Sequence, residues 1–426
     1  MKKNLKLKLL VLIISAFLSM TFSSVAGSDK NLDSLISIAI KVSPKIQELR
    51  YNKEAAVDRI PQNSNLPDPM LTLGLMNMPV KTFSFSEEPM TGKTIGISQA
   101  FPFPGKLGSI ERWQAIDTSV VNEEIRETEN DISKNIKDLY YKLIYVRKSL
   151  SATDSIRKLL KSIRDVVNVK YSVATASQQN LLKVQIEFTN LDDDILDLKS
   201  SELELINKIN AYLLRNSETE IITGEFPNPD SFGLGKNDLL EMAKSYSPSL
   251  KILELQKEKS VLSSKVSNYN YYPDFNIMLE YAQRNTLYNN ISQSDLFSAS
   301  LGISIPLNYG GKISAQIQEA LALKESYISE YNAMLQSLDG NFGASVSTIA
   351  RLESRIKLQE EGLLPQAEEN LNSSLTAYRV GEIDFINVID AEKMLYDIEV
   401  KLYHLKSDYM IDLVELEFLT GTNIIK

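Results

Sequence analysis

One segment of this chain occurs twice, and the rest of the sequence has to be arranged around it. Ile95-Gly-Ile-Ser-Gln-Ala-Phe-Pro-Phe-Pro-Gly-Lys106 returns as Leu301-Gly-Ile-Ser-Ile-Pro-Leu-Asn-Tyr-Gly-Gly-Lys312. Each copy alternates apolar with small or polar residues, as a strand does, then breaks at Pro102, Pro104 and Gly105 or at Pro306, Gly310 and Gly311. A long helical stretch follows each break. Other landmarks repeat in step: Ser43-Pro44 with Ser247-Pro248, Pro67-Asp68 with Pro273-Asp274, and Tyr171 with Tyr378, at separations of 204, 206 and 207 residues. A spacing this constant makes the chain two copies of one unit, residues 27–214 and 237–426, joined by the Pro-, Gly- and Asn-containing linker 215–236.

Ahead of the first unit, Lys2, Lys3, Lys6 and Lys8 precede an apolar run from Leu9 to Phe22 and the small residues Ser24, Val25 and Ala26. This reads as a secretory signal peptide over residues 1–26. Removing its four lysines and no acids takes the net charge from −9 to −13. An acidic chain without a basic block is a poor nucleic-acid binder. The absence of cysteine excludes disulfides, thiol catalysis, zinc–thiolate sites and a lipidated N-terminal cysteine. His404, the single histidine, has no partner with which to form a metal or catalytic site. The sequence has no dinucleotide fingerprint, P-loop or Ser-His-Asp set, so neither an enzyme nor a cofactor is expected. Asp192-Asp193-Asp194 reads as a solvated helix face.

Each unit predicts the same elements. The first has a helix over about 32–65, strands near 67–78 and 94–103, and then a helix of unusual length. Ile132, Ile136, Leu139, Leu143, Val146, Leu150, Thr153, Ile156, Leu160, Ile163 and Val167 fall at the alternating steps of a coiled-coil seam. The seam resumes through Leu181, Val184, Phe188, Leu191, Ile195 and Leu198, with Glu202 out of place, so a turn near 171–178 folds it into an antiparallel hairpin. A helix from Lys106 to Lys170 spans about 98 Å at 1.5 Å per residue. Helices over 32–65 and 176–213, stacked end to end, could line all of it. In the second unit, helices over 239–270 and 384–419 would lie beside a long helix from Lys312, softened at Gly340, Gly343 and 362–365.

No apolar run after the leader is long enough for a transmembrane helix, so a membrane would have to be crossed by strands. Phe275, Ile277, Leu279 and Tyr281 alternate with Asn276, Met278, Glu280 and Ala282, and 297–305 alternates in the same way. A soluble two-layer sheet also alternates. A secreted chain with four such strands, however, cannot close a membrane barrel alone, because the smallest has about eight strands and open edges are not tolerated in lipid. The expected fold class is an α+β membrane protein, mainly α. Three copies would give twelve strands and twelve helical columns.

Strand pairs followed by very long helices, the internal repetition, Phe-Pro-Phe-Pro-Gly-Lys after the second strand and Tyr-x-Val-Gly at the second hairpin turn resemble the TolC family of outer-membrane efflux proteins. The Phe-Pro-Phe-Pro-Gly-Lys form is especially similar to members paired with heavy-metal efflux pumps. The resemblance covers about 32–419. It implies a homotrimer in the outer membrane of a Gram-negative bacterium: a twelve-stranded β-barrel continued by a periplasmic α-helical tunnel. It also implies a periplasmic adaptor and an inner-membrane RND or ABC pump as partners. Val173 and Ala174, with Val380 and Gly381, match the family's tip turns where an adaptor docks. Alanine stands at 174 where the family usually has glycine, which suggests a different turn or strain there. Tyr378 matches an aromatic position of the closed-state tip. Ile383 stands where the family has an arginine. Asp390 matches an inward acid of a constricting ring, and Asn387 replaces the acid one turn earlier. Pro102, Pro104, Gly105, Pro306, Gly310 and Gly311 would mark the junction of barrel and tunnel.

Cargo stays open between metal ions, drugs and secreted polypeptides. Met70, Met76, Met78 and Met90 crowd the first strand pair, where thioethers suit Cu(I) but more often serve as adaptable packing residues. A type I protein-secretion channel, a periplasmic coiled-coil adaptor and a structural coiled-coil protein are the alternative readings. An adaptor would need β-rich, glycine-spaced modules flanking the hairpin and would not repeat the entire unit, and a structural coiled coil leaves the symmetrically inserted strands unexplained.

Overall fold

The chain is described here by a computed structural model covering residues 32–173, 177–227 and 232–424. The expected leader at 1–26 and Ala174 lie outside the described residues. Element order runs helix, helix, strand, strand, long helix, helix, and then the same order follows with the long helix divided in two. In the first half α1 is Leu32–Val42, α2 Pro44–Ser64, β1 Met70–Met76, β2 Gly92–Phe101, α3 Lys106–Ser172 and α4 Gln178–Tyr212. In the second, α5 is Lys236–Tyr246, α6 Pro248–Tyr269, β3 Asp274–Arg284 and β4 Leu296–Ser304. α7 is Lys312–Leu358, α8 Leu364–Val380 and α9 Phe385–Thr420.

Three details differ from the sequence expectation. The helices expected over 32–65 and 239–270 are each two. Ser43 and Ser247 precede prolines, which holds them extended at ψ 119°, so one helix stops and the proline opens the next. The Ser43 side chain accepts from the Ile46 amide at 3.4 Å as the new N-cap. The long helix of the second half is not softened at Gly340 or Gly343, both of which lie inside regular α7. It loosens into one π-helical segment, Gln359–Leu363, just before Pro365. That proline has no amide to give the Glu361 carbonyl, and the wider turn absorbs the mismatch.

The four strands form one antiparallel sheet in the order β1-β2-β3-β4, so the β2–β3 pairing stitches the two halves together. Its register sorts the side chains by chemistry. Leu73, Ile95, Tyr281 and Phe297 stand in one row across all four strands, while Thr72, Gly96, Glu280 and Ser298 stand in the next row on the opposite face. The apolar face is bare: Leu73 is 73% and Phe297 70% exposed, and Leu71, Ile97, Leu301 and Ile303 are exposed beside them. None of the described helices is long and apolar enough to cross a membrane.

α3, 67 residues and so about 100 Å long, is the spine of the first half. α1 and α2 cover its strand-proximal part, and α4 covers the rest. Leu35 and Ala39 of α1 and Ile209 of α4 meet over Ile132, Ile136 and Leu143 of α3. Leu239 of α5, Phe342 and Ile349 of α7, and Leu405 and Leu413 of α9 complete the same cluster. The largest core therefore sits where the stacked helices abut, midway along the molecule, and Ile221 of the linker is buried in it. A second core at the far end joins Ile156, Leu160 and Ile163 of α3 to Val184 and Leu191 of α4 and to Phe385, Val388 and Ile389 of α9. Glu202, the polar intruder in the seam, is paired with Arg147 of α3 at 2.6 Å.

Between sheet and helices, the repeated segment makes the turn its residues suggested. Gly105 adopts φ 90°, where a side chain would be strained, and a Cβ there would lie 2.8 Å from the Tyr269 hydroxyl. Asp274, the first residue of β3, takes the Phe103 amide on Oδ1 at 2.8 Å and the Lys106 ammonium on Oδ2 at 3.0 Å. Phe103 stacks on Tyr272 with ring centroids 4.5 Å apart. In the second copy Gly310 and Gly311 have φ of 66° and 71°, and the Asn308 side chain accepts from the Ile313 amide at 2.8 Å. Asp274→Ala removes both contacts of the first junction and is expected to cost about 1–3 kcal/mol. Thermal unfolding of the detergent-extracted protein should show a lowered midpoint, and an unchanged one would remove Asp274 from the junction's support.

Candidate functional site

The two hairpin ends lie together at the helical extremity, farthest from the sheet. α3 ends at Ser172, and Val173, whose amide bonds the Val169 carbonyl at 3.3 Å, begins the first turn with its side chain 63% exposed. Ser177 restarts the chain by capping α4, its hydroxyl accepting from the Asn180 amide at 3.3 Å. α8 ends at Val380, and Gly381 takes the left-handed conformation at φ 85° with a bond from the Glu382 amide back to the Ala377 carbonyl at 2.9 Å. Nothing lies within 4 Å of a Cβ built on Gly381, so its backbone conformation, not space, requires the glycine. Val173 and Val380 are both bare apolar side chains on this end.

Tyr378 ties the two hairpins to each other. It is buried against Phe385, ring centroids 5.6 Å apart, while Lys170 of α3 places its ammonium 4.0 Å from the Tyr378 ring centre and donates to the Tyr378 carbonyl at 3.1 Å. Burial raises the phenol's pKa, which keeps it neutral. Ile383, in the position where an arginine was expected, packs partly buried beside the same cluster.

Asn387 and Asp390 stand elsewhere on α9. Phe385, Val388 and Ile389 point into the far-end core, whereas Asn387, Asp390 and Met394 form an exposed stripe at helical spacing. The structure thus brings Asn387 and Asp390 onto one surface and puts Tyr378 on another, inside the hairpin contact. The junction residues 102–105 and 306–311 lie at the opposite end of the long helices. Of the Asp192–Asp194 run, Asp192 pairs with Arg157 at 2.6 Å and the next two carboxylates are exposed. His404 is exposed, 3.0 Å from Asp408 and edge-on to Tyr145. Among the described residues, no group of three or more His, Cys, Asp or Glu side chains is arranged to hold a metal ion. The sequence reading missed the Lys170–Tyr378 contact, whose two partners are 208 residues apart.

Comparison with known proteins points one way. The model of the outer membrane efflux protein family matches residues 239–422. The outer membrane protein TolC of Salmonella enteritidis is 20% identical over 447 residues, an alignment spanning 97% of this chain and 86% of that protein. The cobalt-zinc-cadmium resistance protein CzcC of Cupriavidus metallidurans is 21% identical over 164 residues, 38% of each chain. Among solved structures, the outer membrane protein VceC of Vibrio cholerae shares the fold with a TM-score of 0.75 at 16% identity, covering 92% of this chain and 96% of that one. Fold, sequence relatives and family model agree: residues 239–422 match the outer membrane efflux protein family, and nearly the whole chain is similar to the TolC-like channels of the outer membrane, which are conduits rather than enzymes.

Proposed function

We propose that three copies of this chain assemble into a passive conduit, with the sheets closing a twelve-stranded barrel in lipid and the helices closing a periplasmic tunnel. The observation that carries this reading is the four-stranded sheet with one bare apolar face and two unpaired edges. β1 of one copy would pair with β4 of the next, which satisfies every edge. The two halves of the chain, 27–214 and 237–426, would then act as equivalent wall segments around a pseudo-sixfold tunnel, with 215–236 belonging to the belt at its waist.

At the far end, Val173, Ala174, Val380 and Gly381 would receive the helical hairpin of a periplasmic adaptor, coupled to an inner-membrane RND or ABC pump that supplies the energy. The exposed stripe of Asn387 and Asp390 would face the axis, where three copies of Asp390 favour cations over anions. The cargo we favour is a small solute, a metal ion or a drug. The partial match to a cobalt-zinc-cadmium resistance protein supports the metal arm, and the longer match to TolC keeps the broader one.

Two measurements in planar bilayers test the constriction. Asp390→Asn should lower the cation-to-anion permeability ratio several-fold, and an unchanged ratio would remove Asp390 from the pore lining. Lys170→Met severs the contact that ties the hairpins at Tyr378, so the variant should conduct more and open more often than the wild type. Identical conductance would mean that this contact does not hold the tip closed.

A further inference from the structure

One carboxyl in the tunnel wall is placed where a carboxyl should not be. Glu392 of α9 is only 2% exposed, and its Oε1 oxygen has no hydrogen-bond partner among the described residues. It follows Phe385, Val388 and Ile389 on the buried face of α9 and points into a cavity of about 150 Å³ between α3, α4 and α9. α3 contributes Ile156 and Leu160 there, which are apolar, and the nearby Arg157 is engaged by Asp192. α4 contributes two acids, Glu187 and Asp194, beside the neutral Asn190. α9 itself adds Lys393, Asp397 and Tyr396, whose hydroxyl lies 3.1 Å from that of Thr153. From α8, Leu371, Leu375 and the neutral phenol of Tyr378 reach this core. The cavity therefore gathers four carboxyls and one ammonium.

We propose that Glu392 is a proton-binding site in the seam between the first hairpin and α9: protonated, it lets α9 seat against α3 and α4, and ionised, it drives α9 off them. A bare carboxylate at this position would be buried without a donor and would face the negative charge of Glu187, two costs that a bound proton removes together. Burial first, and then Glu187, pushes the Glu392 carboxyl up to about 8. Once the seam opens to water, the group returns toward its ordinary 4.5. The sign follows from linkage. Opening releases one proton between those two values, so the seam is tightest at acid pH and loosens by up to tenfold per pH unit as pH rises toward 8, after which the effect is complete. Because α9 also carries Asp390 and leads into the tip, the site would set how firmly the tunnel's mobile end is held. That consequence rests on the conduit reading, whereas the seam itself does not.

Hydrogen exchange of the full-length protein in detergent, without adaptor or pump, reads the seam directly. Protection of residues 385–396, corrected for the intrinsic pH dependence of exchange, should fall progressively from pH 5.5 to 8 in the wild type. In Glu392→Gln it should be high and independent of pH. In Glu187→Gln the fall should end at a lower pH, because one of the two forces raising the Glu392 carboxyl is gone; this curve decides the matter should the first variant not assemble. Protection that is flat with pH in the wild type, or that falls equally in both variants, overturns the proposal. So does calcium restoring protection at pH 8 in the wild type and not in Glu392→Gln, since the site would then hold a cation and not a proton. Failure of this experiment leaves the channel reading untouched. Loss of the channel reading would show in conductance and not in these exchange curves.

Discussion

Backbone groups along the outer edges of β1 and β4 cannot be left unpaired in lipid, and the rest of the architecture answers to that constraint. A four-stranded sheet has an apolar face fit for hydrocarbon but no means of closing alone. The register places Leu73, Ile95, Tyr281 and Phe297 in one row, so the greasy face is continuous across both halves of the chain. If neighbouring copies close the sheet, as proposed, the helices are fixed as well, because each strand pair runs through a proline-glycine junction into a long helix.

The junctions show how two unlike elements are joined at little cost. At the first, Asp274 ties the chain before α3 to the start of β3, and Gly105 supplies the backbone reversal. At the second, Asn308, Gly310 and Gly311 do so with three left-handed residues. Beyond them the helices are held by two separate cores, one where the stacked helices abut and one near the tips. Between cores the seams rely on pairs such as Arg147–Glu202 and Arg157–Asp192. Part-exposed pairs of this kind contribute little each, so the two cores and not the pairs hold the helices together.

Much of this was legible in the sequence, because periodicity and punctuation are local signals. The heptads from Ile132 to Val167 became the buried side of α3, and the alternation in 275–281 became the two faces of β3. The breaks at Ser43 and Ser247 were present as Ser-Pro pairs, but a continuous helical pattern on either side concealed them. Gly340 and Gly343 misled in the other direction: packing around Phe342 keeps α7 regular there, and Pro365 is what disturbs the ladder. The candidate site was only partly legible. Gly381 and Tyr378 stand in a recognisable turn, yet the grip of Lys170 on Tyr378 depends on two hairpins meeting in space. Glu392 could have been found: it occupies the seventh position after Phe385, where the buried stripe of α9 calls for an apolar residue.

The account stands or falls on whether the sheet is completed by other copies of the same chain. Light scattering coupled to size exclusion, on the native protein extracted from membranes in mild detergent and corrected for bound detergent, measures this most directly. The account predicts a protein mass of three chains that falls to one only on denaturation. A single chain, folded and soluble without detergent, would contradict it, because four strands with a bare apolar face would then have found another way to be covered.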